Sequence, residues 1–128
     1  MDEKVKYWLE MSEYDLDTSL AMLETQRYLY VGFMCHQSVE KAFKAVLSSR
    51  TEQVPPKIHN LIRLAEQCGL LGIIPEKHKK LLFLLNPLNI ESRYPTYKDE
   101  MLKLLNSSKC LEIINGTKEL ILWIREQL

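Results

Sequence analysis

Two polar residues, His36 and Glu40, interrupt an otherwise apolar stripe of a predicted helix. They lie between Phe33 and Phe43 at spacings of three and four, and residues so spaced share one helix face. A buried imidazole or carboxylate needs a partner, because burial without one costs free energy. Glu40 also precedes Lys44 by four residues, the favourable order for an ion pair within a helix. The pattern favours such a pair, plus a histidine satisfied by another helix, over a functional site.

A second carboxylate, Asp15, has small and apolar neighbours on its own predicted helix. Ser12, Ser19 and Met22 lie three, four and seven residues away. Such surroundings indicate a carboxylate that faces another helix rather than solvent. A buried tie to a cation of another helix is favoured over a catalytic base.

His59 comes shortly after Pro55 and Pro56 and is predicted to lie in the first turn of the third helix. The amide groups of a helix start disfavour the imidazolium form and can bind anions. A phosphate or nucleotide contact is therefore one interpretation. A helix-start residue bonded to a nearby loop is an equal one.

Arg93 and Tyr94 lie on an irregular segment between Pro87 and Pro95. Arginine offers a bidentate fork for phosphate or carboxylate, and tyrosine adds a stacking face with a hydroxyl. Loop residues of this kind are more often binding residues than core residues are. The structural alternative is that Arg93 meets a carboxylate of the bundle, either Asp15 or Glu40.

Several other chemistries are disfavoured. Cys35, Cys68 and Cys110 are odd in number and far apart, which favours buried, reduced thiols over a disulfide framework or a zinc site. The sequence has no glycine-rich phosphate loop, no HExxH and no nucleophile elbow. The basic run 77–80 is typical of a solvated helix face, with an RNA-contacting patch as the minority interpretation.

Helical periodicity dominates the chain, and no strand-like alternation competes with it. The first two predicted helices run from the N-terminus to about 22–25 and from about 28 to 49. The third runs from about 58 to 68 and is followed by Gly69, and the fourth begins at Pro75 and is stopped or kinked at Pro87. The last helix is predicted to begin near Thr96 and to continue without interruption through Asn115 and Gly116 to the C-terminus. Thr96 and Asp99 have capping-box-like spacing. One apolar face of the last helix is predicted from Leu102, Cys110, Ile113, Leu120 and Ile124, and the turn-favouring pair Asn115-Gly116 is its weak point. The sequence predicts an all-α protein, an antiparallel up-and-down bundle of four to five helices in a single domain, residues 1–128.

Charge and hydropathy narrow the environment. Basic and acidic side chains balance at 17 each, so no global basic field drives binding to nucleic acid or anionic membranes. The N-terminal segment is acidic and amphipathic, unlike a signal peptide, and no window is apolar enough to span a membrane. We expect a cytoplasmic protein.

An ordered set of motifs extends over nearly the whole chain. It comprises Trp8, Asp15-Leu16, Tyr28, the helix His36-Gln37-Ser38-Val39-Glu40-Lys41-Ala42-Phe43-Lys44-Ala45, His59-Asn60-Leu61 with Leu64, Ser92-Arg93-Tyr94-Pro95, and Trp123. In this set the chain resembles the HEPN (higher eukaryotes and prokaryotes nucleotide-binding) family. The resemblance implies a helical bundle, commonly a homodimer, often encoded beside a minimal nucleotidyltransferase with which it forms a toxin–antitoxin-like pair.

Many members of this family resemble or are metal-independent ribonucleases, whose signature is an arginine followed closely by a histidine across a dimer cleft. The present chain departs from that signature. Eight residues separate Arg27 from His36 and Arg50 from His59, and no histidine follows Arg93. This departure weakens the case for a ribonuclease. Attack by a ribose hydroxyl needs an acid–base group positioned beside that hydroxyl and a cation beside the phosphate.

The leading hypothesis is a non-catalytic HEPN-type module of a two-component toxin–antitoxin-like system that binds ATP or another nucleotide, or a nucleotidyltransferase partner. Predicted ligand contacts are Lys44, His59, Arg93 and Tyr94, supported by Asp15, His36 and Glu40, with no metal site and no required cofactor. One alternative is a metal-independent ribonuclease toxin with His59 as acid–base and Arg93 on the phosphate. Another is a purely structural dimeric bundle.

A homodimer is also indicated by the second helix, whose circumference is apolar nearly all round. Tyr28, Tyr30 and Trp123 add aromatic surface beyond the needs of a small core.

Overall fold

Helix α2 (Tyr28–Arg50) is the central element, because nearly all of its circumference is apolar and other helices cover it. The computed structural model describes residues 2–89 and 95–128, except for the side chains of residues 95–98 and 101. The other described elements are α1 (Glu3–Glu24), α3 (Leu61–Gln67), α4 (Glu76–Leu85), a 3-10 segment (Asn86–Asn89), α5 (Pro95–Leu104) and α6 (Ser107–Glu126). The predicted all-α helical bundle is confirmed.

Helices α1 and α2 form an antiparallel hairpin that is closed by a turn in which Gln26 has a φ of 60°. Two buried serines join them reciprocally. The Ser12 hydroxyl donates to the Ser38 carbonyl oxygen at 2.7 Å, and the Ser38 hydroxyl donates to the Ser12 carbonyl oxygen at 2.6 Å. Small side chains at this crossing let the two backbones approach closely, and their hydroxyls are satisfied.

The start of α3 differs from the prediction. The helix begins at Leu61, not near residue 58, because Asn60 is its N-cap and accepts from the amide groups of Ile62 and Arg63 at 3.0 and 3.1 Å. His59 therefore precedes the cap and is not in the first turn. The end was predicted correctly, since Gly69 follows the helix with a φ of 72°, a left-handed conformation that favours glycine.

The predicted single last helix is wrong. It is two helices, α5 and α6, separated at Leu105 and Asn106, because Asn106 adopts an extended N-cap conformation and accepts from the Lys109 amide at 2.8 Å. Asn115 and Gly116, the expected weak point, lie inside α6. The break also explains an error in the predicted apolar face.

Four residues of that predicted face, which lie in α6, are buried: Cys110, Ile113, Leu120 and Ile124. Leu102 was assigned to the same face but is largely exposed on α5, because the break separates it from the register of α6. The predicted capping box at Thr96 and Asp99 lies partly outside the described side chains, and the backbone of α5 already includes Pro95.

The apolar surface of α2 is used within the monomer. Val31, Cys35, Val39 and Phe43 are fully buried in the main core, and Tyr28 and Trp123 are half-buried against it. The bundle itself covers this helix, so its apolar surface does not indicate a dimer, whereas Tyr30 is exposed as the sequence predicted. The homodimer remains a prediction.

Within the described residues, all three cysteines are buried and free of disulfides, as predicted. No helix of the described chain combines the length and apolarity needed to cross a membrane.

The break between α5 and α6 yields a test by capping. We expect Asn106→Ala to lower the free energy of unfolding by about 1 kcal/mol, because it removes the side chain that caps α6. The matched control is Asn115→Ala, at an exposed position inside the same helix, which should be neutral or slightly stabilising since alanine is the better helix former. Urea unfolding of the two variants measures this difference, and equal effects would contradict the assigned start of α6.

Candidate functional site

The carboxylate of Glu40 is the centre of a polar cluster in the middle of α2. Only 3 % of the residue is exposed. Its Oε2 atom accepts from the Lys44 ammonium at 3.0 Å, and its Oε1 atom accepts from His59 Nδ1 at 3.0 Å. The predicted ion pair within the helix is thus present, and the carboxylate has a second partner from the segment before α3.

His59 connects this buried carboxylate to the surface. Its side chain is 59 % exposed although Nδ1 is bonded to Glu40. A carboxylate only accepts hydrogen bonds, so the proton of this bond belongs to Nδ1, and Nε2 is the ring nitrogen available to a ligand. A neutral ring could accept a proton at Nε2, and an imidazolium could donate from Nε2 to an anion.

The segment that carries His59 is fixed on both sides. Asn60 caps α3, and the side chain of Asn86 accepts from the Leu61 amide at 2.9 Å. The first amide groups of α3 are therefore already bonded within the protein. The anion site that the sequence placed at this helix start is not available there, and His59 itself is the group that faces outward.

Lys44 is nearly buried, and the Trp8 ring of α1 covers it, with Nζ 5.6 Å from the ring centroid. An ammonium at this distance from an indole gains a cation–π attraction. Lys44 thus neutralises Glu40 from inside the bundle. Its predicted role as a direct ligand contact remains a prediction.

His36 lies behind the same carboxylate and is fully buried, with Nδ1 4.0 Å from Glu40 Oε1. Neither ring nitrogen makes a hydrogen bond of regular geometry within the described chain, so the hydrogen-bond partner predicted for this histidine is missing. Burial lowers the pKa of His36 to about 4, against smaller opposing effects of the Glu40 charge and of the backbone of His59, which lies close enough to raise the pKa of the ring. His36 is consequently an uncharged, buried ring behind Glu40 at physiological pH.

The second predicted carboxylate, Asp15, is buried and accepts from the Lys41 ammonium of α2. The sequence had predicted such a tie to a cation of another helix, with Arg93 as one possible partner, and among the described residues the partner is Lys41. Lys41 and Lys44, three residues apart on α2, thus pair with two different carboxylates, Asp15 and Glu40. Asp15 fastens α1 to α2 and has no contact with His59.

Arg93 and Tyr94, which the sequence placed in the site, lie outside the described residues, and their predicted roles stay predictions. Asn89, the last described residue before this segment, is held in place by α2. Gln37 donates to the side chain of buried Asn89 at 2.7 Å. Next to this contact, Gly32 gives the 3-10 segment room, since an added Cβ would lie 2.6 Å from Leu88 Cδ1.

Other candidate groups lie away from this cluster. Within the basic run 77–80, Lys77 pairs with Glu119 at 3.3 Å, and His78 is buried beside Trp123. Burial lowers the pKa of His78, with a smaller effect of Lys77. The exposed pair of Lys77 and Glu119 favours the predicted solvated helix face over an RNA patch, whereas His78 is buried.

Burial also raises the pKa of Cys35 and Cys110 to about 11 and that of Cys68 to about 12, which makes these thiols poor nucleophiles. The described residues contain no group of three or more potential metal-ligating side chains.

The structure adds residues that sequence reasoning did not assign to the site. Trp8, Asn60 and Gln37 were quoted only as family motifs, and Asn86 was not singled out. No sequence pattern pointed to these residues, because each makes its contact with a residue 25 to 52 positions away or with the nearby backbone. The polar positions of α2 were the detectable part.

Comparison with known proteins identifies the fold. The family model of the HEPN domain matches residues 5–127. The crystal structure of TT1696 from Thermus thermophilus superposes with a TM-score of 0.83 at 20 % identity, over 99 % of this chain and 100 % of that one. That of ST0689, an archaeal HEPN homologue, gives a TM-score of 0.73 at 22 % identity, over 99 % and 98 % of the two chains. A search of curated proteins gives no match.

Burial of neutral His36 predicts a pH-dependent stability. Between its ordinary pKa of 6.5 and its folded value of about 4, the unfolded chain binds a proton that the folded chain does not. Stability is therefore lost as the pH falls through this window, by up to about 3 kcal/mol. We expect His36→Gln to lose this part of the decline when urea unfolding at pH 7 and pH 4.5 is compared. An unchanged decline in the variant would contradict a neutral, buried His36.

Proposed function

Because the chain belongs to the HEPN domain family, we propose that it is a nucleotide-binding module in which His59 meets the phosphate group of the ligand. The main support is that the His59 imidazole is about half exposed, while its Nδ1 lies 3.0 Å from the buried carboxylate of Glu40. The anchor occupies Nδ1, and the imidazolium form keeps a second donor, Nε2–H, on a ring that is largely exposed. A charge-assisted hydrogen bond of this kind is among the stronger contacts to phosphate.

The surroundings of Glu40 support this assignment. Lys44 already neutralises the carboxylate from the buried side. The positive charge of protonated His59 is therefore in excess and can attract an anion. Together the three groups carry a net positive charge when His59 is protonated, and only His59 is substantially exposed. An anion would therefore meet the cluster at the imidazole.

Arg93 and Tyr94 remain proposed contacts, as an anion fork and a base or hydroxyl contact. They follow the 3-10 segment that Gln37 and Gly32 position. We also propose, from the family resemblance, that the module acts as a homodimer with a minimal nucleotidyltransferase in a toxin–antitoxin-like pair. ATP is the first nucleotide to test, since such a partner would use a nucleoside triphosphate.

A metal-independent ribonuclease is the second candidate, and one specific observation favours it. An exposed imidazole anchored on a carboxylate through Nδ1 is also the arrangement of a general base, because Nε2 of the neutral ring can take a proton from a ribose hydroxyl. Against it stands the sequence, whose arginines lack a closely following histidine. In addition, the described cation that shares Glu40 with His59 is buried and paired, whereas phosphoryl chemistry needs a cation at the developing charge.

The proposal predicts the effect of removing the imidazole. We expect isothermal titration with ATP in EDTA to give an affinity that falls at least about tenfold in His59→Ala, because a charge-assisted hydrogen bond is lost. The matched control is Lys57→Ala, which removes an exposed charge from the same segment without touching Glu40, and it should bind nearly as the wild type does.

Equal losses in the two variants would contradict a specific role of His59, and binding that neither variant changes would place the nucleotide elsewhere. The same proteins incubated with a mixed RNA pool in EDTA separate the two candidates. Cleavage by the wild type that disappears in His59→Ala would put the ribonuclease ahead.

A further inference from the structure

Two adjacent aromatic residues, Tyr7 and Trp8, lie in the N-terminal part of α1 beside the polar cluster. Their ring centroids are 5.3 Å apart and the rings are inclined by 75°. Trp8 is half-buried and packs on a small apolar cluster formed by Val5, Leu9 and Ala45. The tryptophan ring is therefore held rigidly, and it supports the edge-to-face contact with Tyr7.

This aromatic pair is linked to His59 by direct contacts. Trp8 lies over the Lys44 ammonium, Lys44 is bonded to Glu40, and Glu40 is bonded to His59. A second link runs along the surface, because Lys4 of α1 donates to the carbonyl oxygen of Glu52 at 3.0 Å, in the segment that leads to His59. Trp8 and the imidazole therefore flank a single buried ion pair, and the Tyr7 ring lies against Trp8.

Tyr7 contacts Trp8 at the surface of the bundle. It belongs to neither apolar cluster of the described chain, and 55 % of the residue is exposed. A large aromatic side chain that is exposed, yet fixed by a rigid neighbour, offers a flat surface at little cost in conformational freedom. Such surfaces stack on the bases of nucleotides with little preference for base identity.

We propose that Tyr7, backed by Trp8, is the platform on which the base of the bound nucleotide stacks while its phosphate group contacts His59. This inference rests on the proposed function, and it names the part of the ligand that the polar cluster does not explain. The site would take nucleoside phosphates in preference to inorganic polyphosphate. Purine nucleotides would bind at least as well as pyrimidine nucleotides, since their larger bases give more stacking area.

The test compares a ligand with a base and one without. We expect wild-type protein to bind ATP about tenfold more tightly than inorganic tripolyphosphate in isothermal titration, because only ATP can stack. Tyr7→Leu keeps an apolar side chain but removes the ring, and should bring the two affinities together by weakening ATP alone. The matched control is Tyr14→Leu, which removes a similarly exposed ring, 67 % accessible, from the same helix and should keep the preference.

The outcomes separate the two proposals. Equal affinity of the wild type for ATP and tripolyphosphate, both weakened by His59→Ala, would overturn the base platform and leave the phosphate site intact. A preference for ATP that survives Tyr7→Leu would also overturn the platform. Absence of binding of either ligand by the wild type would remove the proposed function, and the platform with it.

Discussion

A carboxylate buried in the middle of a helical bundle is the constraint on which the site depends. Transferring such a charge from water costs several kcal/mol unless partners compensate it. In this protein the compensation comes from Lys44, one turn further along α2, and from His59, at the end of the segment that joins α2 to α3. The second bond requires that segment to return to α2. The position of His59 at the surface is thus a consequence of the burial of Glu40.

The same hairpin of α1 and α2 contains a second set of buried polar contacts. Asp15 meets Lys41, and Ser12 and Ser38 exchange hydrogen bonds with each other's backbone. These contacts fix the relative position of the two helices, and with it the position of Trp8 over Lys44. Stability and site geometry therefore share one interface. A change at Asp15 would alter the site through the packing of α1, although Asp15 has no contact with His59.

Periodicity revealed the parts of the fold in which many residues contribute to one signal. The two long helices were predicted correctly on that ground, whereas the glycine after α3 was predicted from its own residue type. Starts of helices were less accessible, because one side chain decides them. Asn60 moved the start of α3 past His59, and Asn106 divided the last helix, yet neither asparagine changes the apolar pattern around it.

The site was predicted to a comparable degree. The spacing of Glu40 and Lys44 indicated their pair, because both residues lie on one helix. The bond from His59 joins residues 19 apart in the sequence, and no local pattern encodes it. His36 was expected to have a partner, and the bundle gives it none within the described chain. The residue type and position of His36 do not reveal where possible partners lie in the bundle, so the lack of hydrogen bonds at its two ring nitrogens could not be predicted.

The central claim is that Glu40 holds His59 through Nδ1 and leaves Nε2 for the ligand, while His36 stays neutral. Long-range proton–nitrogen NMR correlation of the imidazole rings tests it most directly, with the signals assigned through His36→Gln and His59→Asn. We predict that the proton of the neutral His59 ring lies on Nδ1, and that His36 remains uncharged down to about pH 4. A neutral His59 with its proton on Nε2, or a His36 that titrates near its ordinary pKa, would contradict the account.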